Sequence, residues 1–370
     1  MDQLTVRKRL TMLRERRGVN QIDLAKHLGF KDRQTLSDIE LGKRNITASE
    51  LANSAKFFGV TVDYFTDPLE LAGEACFSWR QVSNNGEELE SFENLAGRWI
   101  ATYRHLSRLK GDSINSSLTR VGLTIKSSYE EALDEGDAVS RALNLGDIPA
   151  TTLSSVLEDK LDTLVLFVDT IAGVSGAACQ LGPLNSIIIN RKEPEGRRNF
   201  DMGHELFHLI TWTEMPPPHI DRNGDSPPHQ IRVEQLANNF ASGLLMPRHS
   251  FENYVDRFPL PESEDKFASW IRDAASHFQV SGPALKWRLV SLNLISFAAC
   301  KRIDDANLQI DLHQESSIPA KFSNRFVSTL GWGIEQGHLT VRKAAHVVGM
   351  TIDDLADLFS EHGLKTPFDL

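Results

Sequence analysis

Cysteine is scarce in this 370-residue sequence: Cys76, Cys179 and Cys300 lie far apart and are odd in number. A disulfide scaffold and a CxxC zinc site are thereby excluded, and a reducing, cytoplasmic compartment is expected. Long apolar runs are also missing. Segments such as 164–168 and 294–300 fall far short of the ~18 residues that a membrane span needs, so no membrane association is expected. The first residues are charged and amphipathic (Arg7, Lys8, Arg9, Arg14), which predicts no secretory signal. There is no low-complexity tract and no repeat at a solenoid period. What is present is ordinary for a globular chain, 41% apolar and 24% charged, with a length that suits two or three domains.

The net charge of −10 argues against a nucleic-acid binder until its distribution is examined. The first 66 residues hold 12 Lys/Arg against 8 Asp/Glu, whereas the rest hold 28 against 42. A small basic head on an acidic body confines any DNA contact to the head.

The head reads as five short helices. The first, over 4–17, turns Val6, Leu10 and Leu13 inward and ends at Gly18. The second, over 21–28, buries Leu24, Ala25 and Leu28 and closes at Gly29. Asp32 caps a third over 32–40, Thr47 or Ser49 starts a fourth that Gly59 ends, and 60–65 completes the unit. Beyond it, a polar patch over 81–90 leads into a long helix to about 110, with Trp99, Ile100, Tyr103 and Leu106 on its apolar side. A helix over 129–145 follows. Strands are expected at 161–168 and 185–190, with a strand or turn over 173–182 between them. A helix spans 200–212, an exposed loop with five prolines spans 215–228, and a helix over 230–245 stops before Pro247. Helices continue to about 294, and a helical tail runs over 318–370.

Two short helices joined at Gly29, the second polar, are what a DNA-reading helix-turn-helix requires. In the second, Leu36 and Ile39 face inward, leaving Arg33, Gln34, Thr35 and Ser37 for base edges; Arg suits guanine and Gln suits adenine. Gln21, at the start of the preceding helix, together with Lys43 and Arg44 beyond the reading helix, suits phosphate. The order Gln21-x-x-Leu24-Ala25-x-x-Leu28-Gly29, then Leu36-Ser37-x-Ile39-Glu40-x-Gly42-Lys43-Arg44, resembles the lambda-repressor-like (XRE) helix-turn-helix family over about 4–65. Tail residues 339–351 have a similar rhythm. Arg342 and Lys343 offer DNA contacts there, but the acidic surroundings favour a supporting helical bundle.

His204-Glu205-Leu206-Phe207-His208 is an HExxH motif. Spacing four on a helix stacks both imidazoles on one face, ready for one Zn²⁺. Glu205, adjacent to that face, is placed to act as general base on a water polarised by the metal. A catalytic zinc takes three protein ligands, and Glu234 is the best third candidate. Ala237 and Ala241 on its helix permit close approach to the first helix. His219 and His229, in or beside the proline-rich loop, read as surface histidines or as a transition-state donor over the cleft.

The pattern Arg198-x-Phe200-x-x-x-His204-Glu205-x-x-His208, Glu234-x-x-Ala237-Asn238-x-Phe240-Ala241 and Leu244-Leu245-Met246-Pro247 resembles the ImmA/IrrE family of zinc metallopeptidases over about 142–295. The resemblance implies zinc (or manganese) on His204, His208 and Glu234, Glu205 as base, and cleavage of a repressor-type protein. Gly203 and Phe207 stand where the family often has Ala and Gly, and the bulk of Phe207 predicts a narrowed cleft. The expected fold is mainly α with a small β-sheet (α+β): a five-helix head at 1–67, a helical linker region at 68–141, a zincin-like peptidase domain at 142–300 and a helical region at 301–370. The expected function is a homodimeric, operator-binding transcriptional regulator with a zinc endopeptidase domain, which cleaves a repressor-type or co-encoded protein, or itself. A non-enzymatic regulator or antitoxin-like protein, its peptidase-like body sensing a signal or binding a partner, is the alternative.

Overall fold

The computed structural model describes residues 3–71, 74–81, 86–112, 118, 120–222, 227–261, 263, 266–308 and 318–369. The head comprises α1 (Gln3–Arg16), α2 (Gln21–His27), α3 (Arg33–Glu40), α4 (Ala48–Phe58) and α5 (Asp63–Thr66). Local chemistry sets its boundaries. Asn20, Asp32 and Thr47 cap α2, α3 and α4 through their side chains, Thr47 in a capping box with Glu50. Gly59 ends α4 at φ +68°, a left-handed conformation that glycine adopts without strain. Val6, Leu10, Leu13, Leu24, Leu36, Ile39 and Phe65 form a separate core.

The body is built on a five-stranded sheet ordered β2-β4-β3-β1-β5, from β1 (Cys76–Gln81), β2 (Thr163–Val168), β3 (Val174–Leu181), β4 (Leu184–Asn190) and β5 (Ile220–Arg222). The pairs β2–β4 and β1–β5 are parallel; β3–β4 and β1–β3 are antiparallel. Strands β2, β3 and β4 lie where periodicity predicts. Two corrections concern the sheet edge. Gln81, the expected start of the polar patch, belongs to a strand, and the following helix begins at Gly86; residues 82–85 lie outside the described residues. The expected 215–228 loop contains β5, while 223–226 lie outside the described residues. Both strands are too short to impose a periodic signal, and each forms by pairing with a distant partner.

Side chains alternate across the sheet. Phe77, Trp79, Leu164, Leu166, Ala177, Cys179 and Ile188 enter one core, shared with α6 (Gly86–Lys110), α15 (Asn324–Glu335), α16 (Val341–Val348) and α17 (Ile352–Glu361). The first part of the 68–141 stretch, through α6, and the tail thus form a single layer, whereas Val121, Leu123 and Ala132 of the same stretch pack in the opposite core. Lys343 of the tail donates to Asp67 Oδ2 at 2.9 Å, at the exit of the head. Val165, Ala178, Ile187 and Ile189 enter the opposite core, with α9 (Glu195–Thr211) and α10 (Pro228–Leu245). Helix α10 lies between α9 and α7 (Tyr129–Leu143). Glycines permit the crossing: a Cβ on Gly136 would stand 2.2 Å from Phe240 O, and one on Gly243 2.1 Å from Leu133 O.

Candidate metal centre and nucleic-acid interface

Helix α9 runs beneath β3 and β4 and is buried along most of its length, so its polar side chains must find partners inside the protein. His204 and His208, four residues apart, stack on one face with ring centroids 4.8 Å apart. Glu234, in the second turn of α10, meets them. Its Oε2 is 2.9 Å from His204 Nε2 and its Oε1 3.4 Å from His208 Nε2, while the two Nε2 atoms are 3.0 Å apart. Gly203 assists this approach, since a Cβ there would touch Ala241 Cβ at 3.3 Å. All three residues offer ligand atoms within 4.8 Å of one another.

Asn238, one turn beyond Glu234, receives His204 Nδ1–H on its Oδ1 at 3.0 Å. With Nδ1 donating there, a neutral His204 turns the lone pair of its Nε2 toward the carboxylate of Glu234. Burial lowers the His204 pKa to about 4, so protonation does not relieve the repulsion. Three facing acceptor sites at these distances fit a small divalent cation. Tetrahedral nitrogen ligands about 2.05 Å from zinc stand about 3.3 Å apart.

Glu205 is 1% exposed; burial raises its pKa to about 8, and its Oε1 has no hydrogen-bond partner among the described residues. It lies against β3 at Gly176, where an added Cβ would stand 3.8 Å from Glu205 Cγ. Phe207, expected to narrow the cleft, instead packs against Phe240 at 5.6 Å in the core and is fully buried. The reason is helical geometry: position 207 points toward α10. His219 is held by Glu93, Nε2 to Oε2 at 2.6 Å, and His229 is exposed; neither belongs to the His204 cluster.

Sequence reasoning misses Arg80. It arises from β1, pairs with Gly176, and donates through Nη1 to Asp201 Oδ1, a buried carboxylate one helical turn ahead of Glu205. The pairing shifts between Arg80 and Gln81, so Ser175 is bulged out of register. Its Oγ accepts from Arg197 Nη2 at 3.1 Å. A β-like alternation in Phe77-Ser78-Trp79-Arg80 is the one signal available, and it is too brief to be read against the polar residues that follow.

In the head, Arg33 and Gln34 are exposed on α3 and Thr35 and Ser37 half-buried, with Leu36 and Ile39 turned inward. Gln34 Nε2 donates to Asp38 Oδ1 at 2.9 Å. Gln21 Nε2 donates to Glu40 Oε2 at 2.6 Å and Arg14 Nε donates to Glu40 Oε1 at 2.6 Å, which ties α2 and α1 to α3. Lys43 is exposed, whereas Arg44 is engaged by Glu50, Nη2 to Oε1 at 2.6 Å. Among the described residues no helix is long and apolar enough to cross a membrane.

Comparison with known families agrees with this division. Residues 10–65 match the helix-turn-helix family model, and residues 159–290 match that of the IrrE N-terminal-like domain, a peptidase family. No curated protein and no solved structure matches the chain.

Proposed function

We propose that this chain, a helix-turn-helix head fused to an IrrE N-terminal-like peptidase-family body, is a cytoplasmic transcriptional regulator whose body is a zinc-dependent endopeptidase. Its substrate is a repressor-type protein, co-encoded or the chain itself. The observation that carries the enzymatic reading is the convergence of His204, His208 and Glu234, with the His204 tautomer set by Asn238. Neutral imidazoles and one carboxylate suit zinc, with manganese as the alternative ion. When bound, zinc supplies a Lewis acid and lowers the pKa of a coordinated water.

The chain's own residues do the rest. Asn238 orients the His204 ring and keeps its Nε2 bare, a partner arrangement that raises ligand quality. Glu205, adjacent to the ligand histidines, accepts the proton from the attacking water and delivers it to the departing amine. The hydrophobic shell around α9 excludes bulk water and strengthens each charge interaction. In the head, Arg33, Gln34, Thr35 and Ser37 read base edges, while Gln21, Lys43 and Arg44 contact phosphates. A two-fold operator pairs two heads, so the working form is a homodimer.

The test is incubation of the purified protein with zinc or manganese, alone and with candidate repressors, beside Glu205→Gln. The variant is expected to keep the metal and lose cleavage; retained cleavage removes Glu205 from its role. A DNA shift that weakens with salt and is lost in Arg33→Ala/Gln34→Ala tests the head.

A further inference from the structure

Strand β1 lies outside both matched family segments, yet its Arg80 reaches the helix that bears His204 and His208, and Glu74, two residues before the strand, meets the head. At its start, Glu74 accepts from Arg9 Nε at 2.7 Å and from Arg104 Nη1 of α6 at 2.9 Å. Arg9 belongs to α1 of the head and is 0% exposed. Its remaining N–H groups bond the carbonyls of Tyr64 at 3.0 Å, Asp67 at 2.8 Å, and Glu70. A desolvated guanidinium whose counter-charge is Glu74 thus docks the head on its connector, beside the Lys343–Asp67 and Arg98–Glu70 pairs. Taking away one partner of such a pair leaves an uncompensated buried charge.

At the other end of β1, Arg80 reaches Asp201 on α9. Cross-strand partners direct their side chains to the same face. The missing side chain at Gly176 therefore leaves the corridor along which Arg80 passes beside Glu205 to the helix. Between the two ends, Phe77 and Trp79 are buried and stacked, and Trp79 Nε1 donates to Glu93 Oε2 at 2.7 Å. The strand, with the two residues before it, thus links two largely buried ion pairs, Arg9–Glu74 and Arg80–Asp201.

We infer that Arg80 is a positioning residue through which the metal site and the DNA-reading head share one equilibrium. Metal on His204, His208 and Glu234 orders α9; α9 holds Asp201, Asp201 holds Arg80 and β1, and β1 keeps Glu74 beneath Arg9. The inference rests on the metal-site reading above and adds the regulation of that site. Order established by one ligand reduces the ordering cost of the next, and the coupling is reciprocal.

Hydrogen–deuterium exchange on the full chain, with zinc and with chelator, tests it; zinc affinity is measured separately by competition with a chromogenic chelator. In the wild type, zinc is expected to slow exchange in α9 and α10 and also in β1 and α1, the latter by about fivefold or more, the lower end of ordinary site-to-site coupling. Arg80→Met is expected to keep the effect on α9 and α10 and lose it in α1, and Arg80→Lys to recover part of it. Should Arg80→Met fail to fold, Asp201→Asn replaces it, with the same expected loss. Equal protection of α1 in the variant, or wild-type protection confined to α9 and α10, overturns the inference. Absence of zinc binding in the chelator competition refutes the metal reading and the inference with it, a result distinct from zinc bound without transfer.

Discussion

The head and the body place their functional polar groups under opposite conditions. On the head, Arg33 and Gln34 stand in solvent on a helix whose inward face, Leu36 and Ile39, does the packing. They need no internal partner to exist there, and they bear on folding only weakly. In the body, His204, Glu205 and His208 are each no more than 3% exposed, and each depends on a second or third element for its environment. The contrast teaches that the head separates stability from recognition, whereas the body merges them. A change to His204, Glu205 or His208 disturbs a buried polar network, and a change to Arg33 or Gln34 leaves the fold alone, whereas Gln21 and Arg44 are tied to Glu40 and Glu50 and bear on both.

The sharpest way to break this contrast is His204→Ala. Zinc affinity is expected to fall by more than about a hundredfold, beyond the cost of losing an outer-shell partner, while DNA retention at fixed salt falls far less, by about the fivefold that the coupling through Arg80 transmits; chelator competition and a mobility shift measure the two. Leu36→Ala reverses the pattern. It should cost about 2–5 kcal/mol in the unfolding of the head, followed by denaturant titration, and leave metal content unchanged. Gly243→Ala sharpens the contrast from the body side. A methyl forced against Leu133 O is expected to cost about 1–3 kcal/mol by separating α10 from α7, visible as a lower denaturation midpoint.

A smaller effect is the pH dependence of the metal-free protein. The folded His204 pKa, near 4, lies below its ordinary 6.5, so the unfolded chain binds the extra proton. Stability from this residue is full above about pH 6.5 and declines as pH falls toward 4. The folded Glu205 pKa, near 8, lies above its ordinary 4.5, so its contribution is full below about pH 4.5 and is lost as pH rises through 8. Metal-free Glu205→Gln should therefore gain on the wild type at pH 8 and above, and the gain should vanish near pH 4.5. Chemical denaturation across pH measures this, and a gain that fails to depend on pH contradicts the burial of an ionising carboxylate.

Legibility divides along the same line. The caps Asp32 and Thr47 and the terminator Gly59 act within a few residues of themselves, so the head could be read closely from pattern alone. Strands β2 and β4 announce themselves through consecutive apolar, β-branched residues, whereas the sequence leaves strand and turn open for β3. The convergence of Glu234 on the HExxH pair follows from a helix whose alanines permit close packing, which is a local cue to a nonlocal event. Strands β1 and β5 carry no comparable cue. They are six and three residues long and acquire their conformation from β3 and from each other. Phe207 teaches the same lesson in reverse: its bulk is plain in the sequence, but the wall it meets is not.

The amino-acid order by itself determined the helical head, the polar face of its α3 and the paired imidazoles, because each arises from spacing along one helix or from chemistry at one turn. Tertiary structure alone decided that Asn238 selects the His204 tautomer, that Arg80 crosses a glycine gap to Asp201, and that the tail joins α6 on the far side of the sheet. Those outcomes depend on distances between residues up to hundreds of positions apart. Such distances are set by the packing of both sheet faces, which no short stretch of chain encodes.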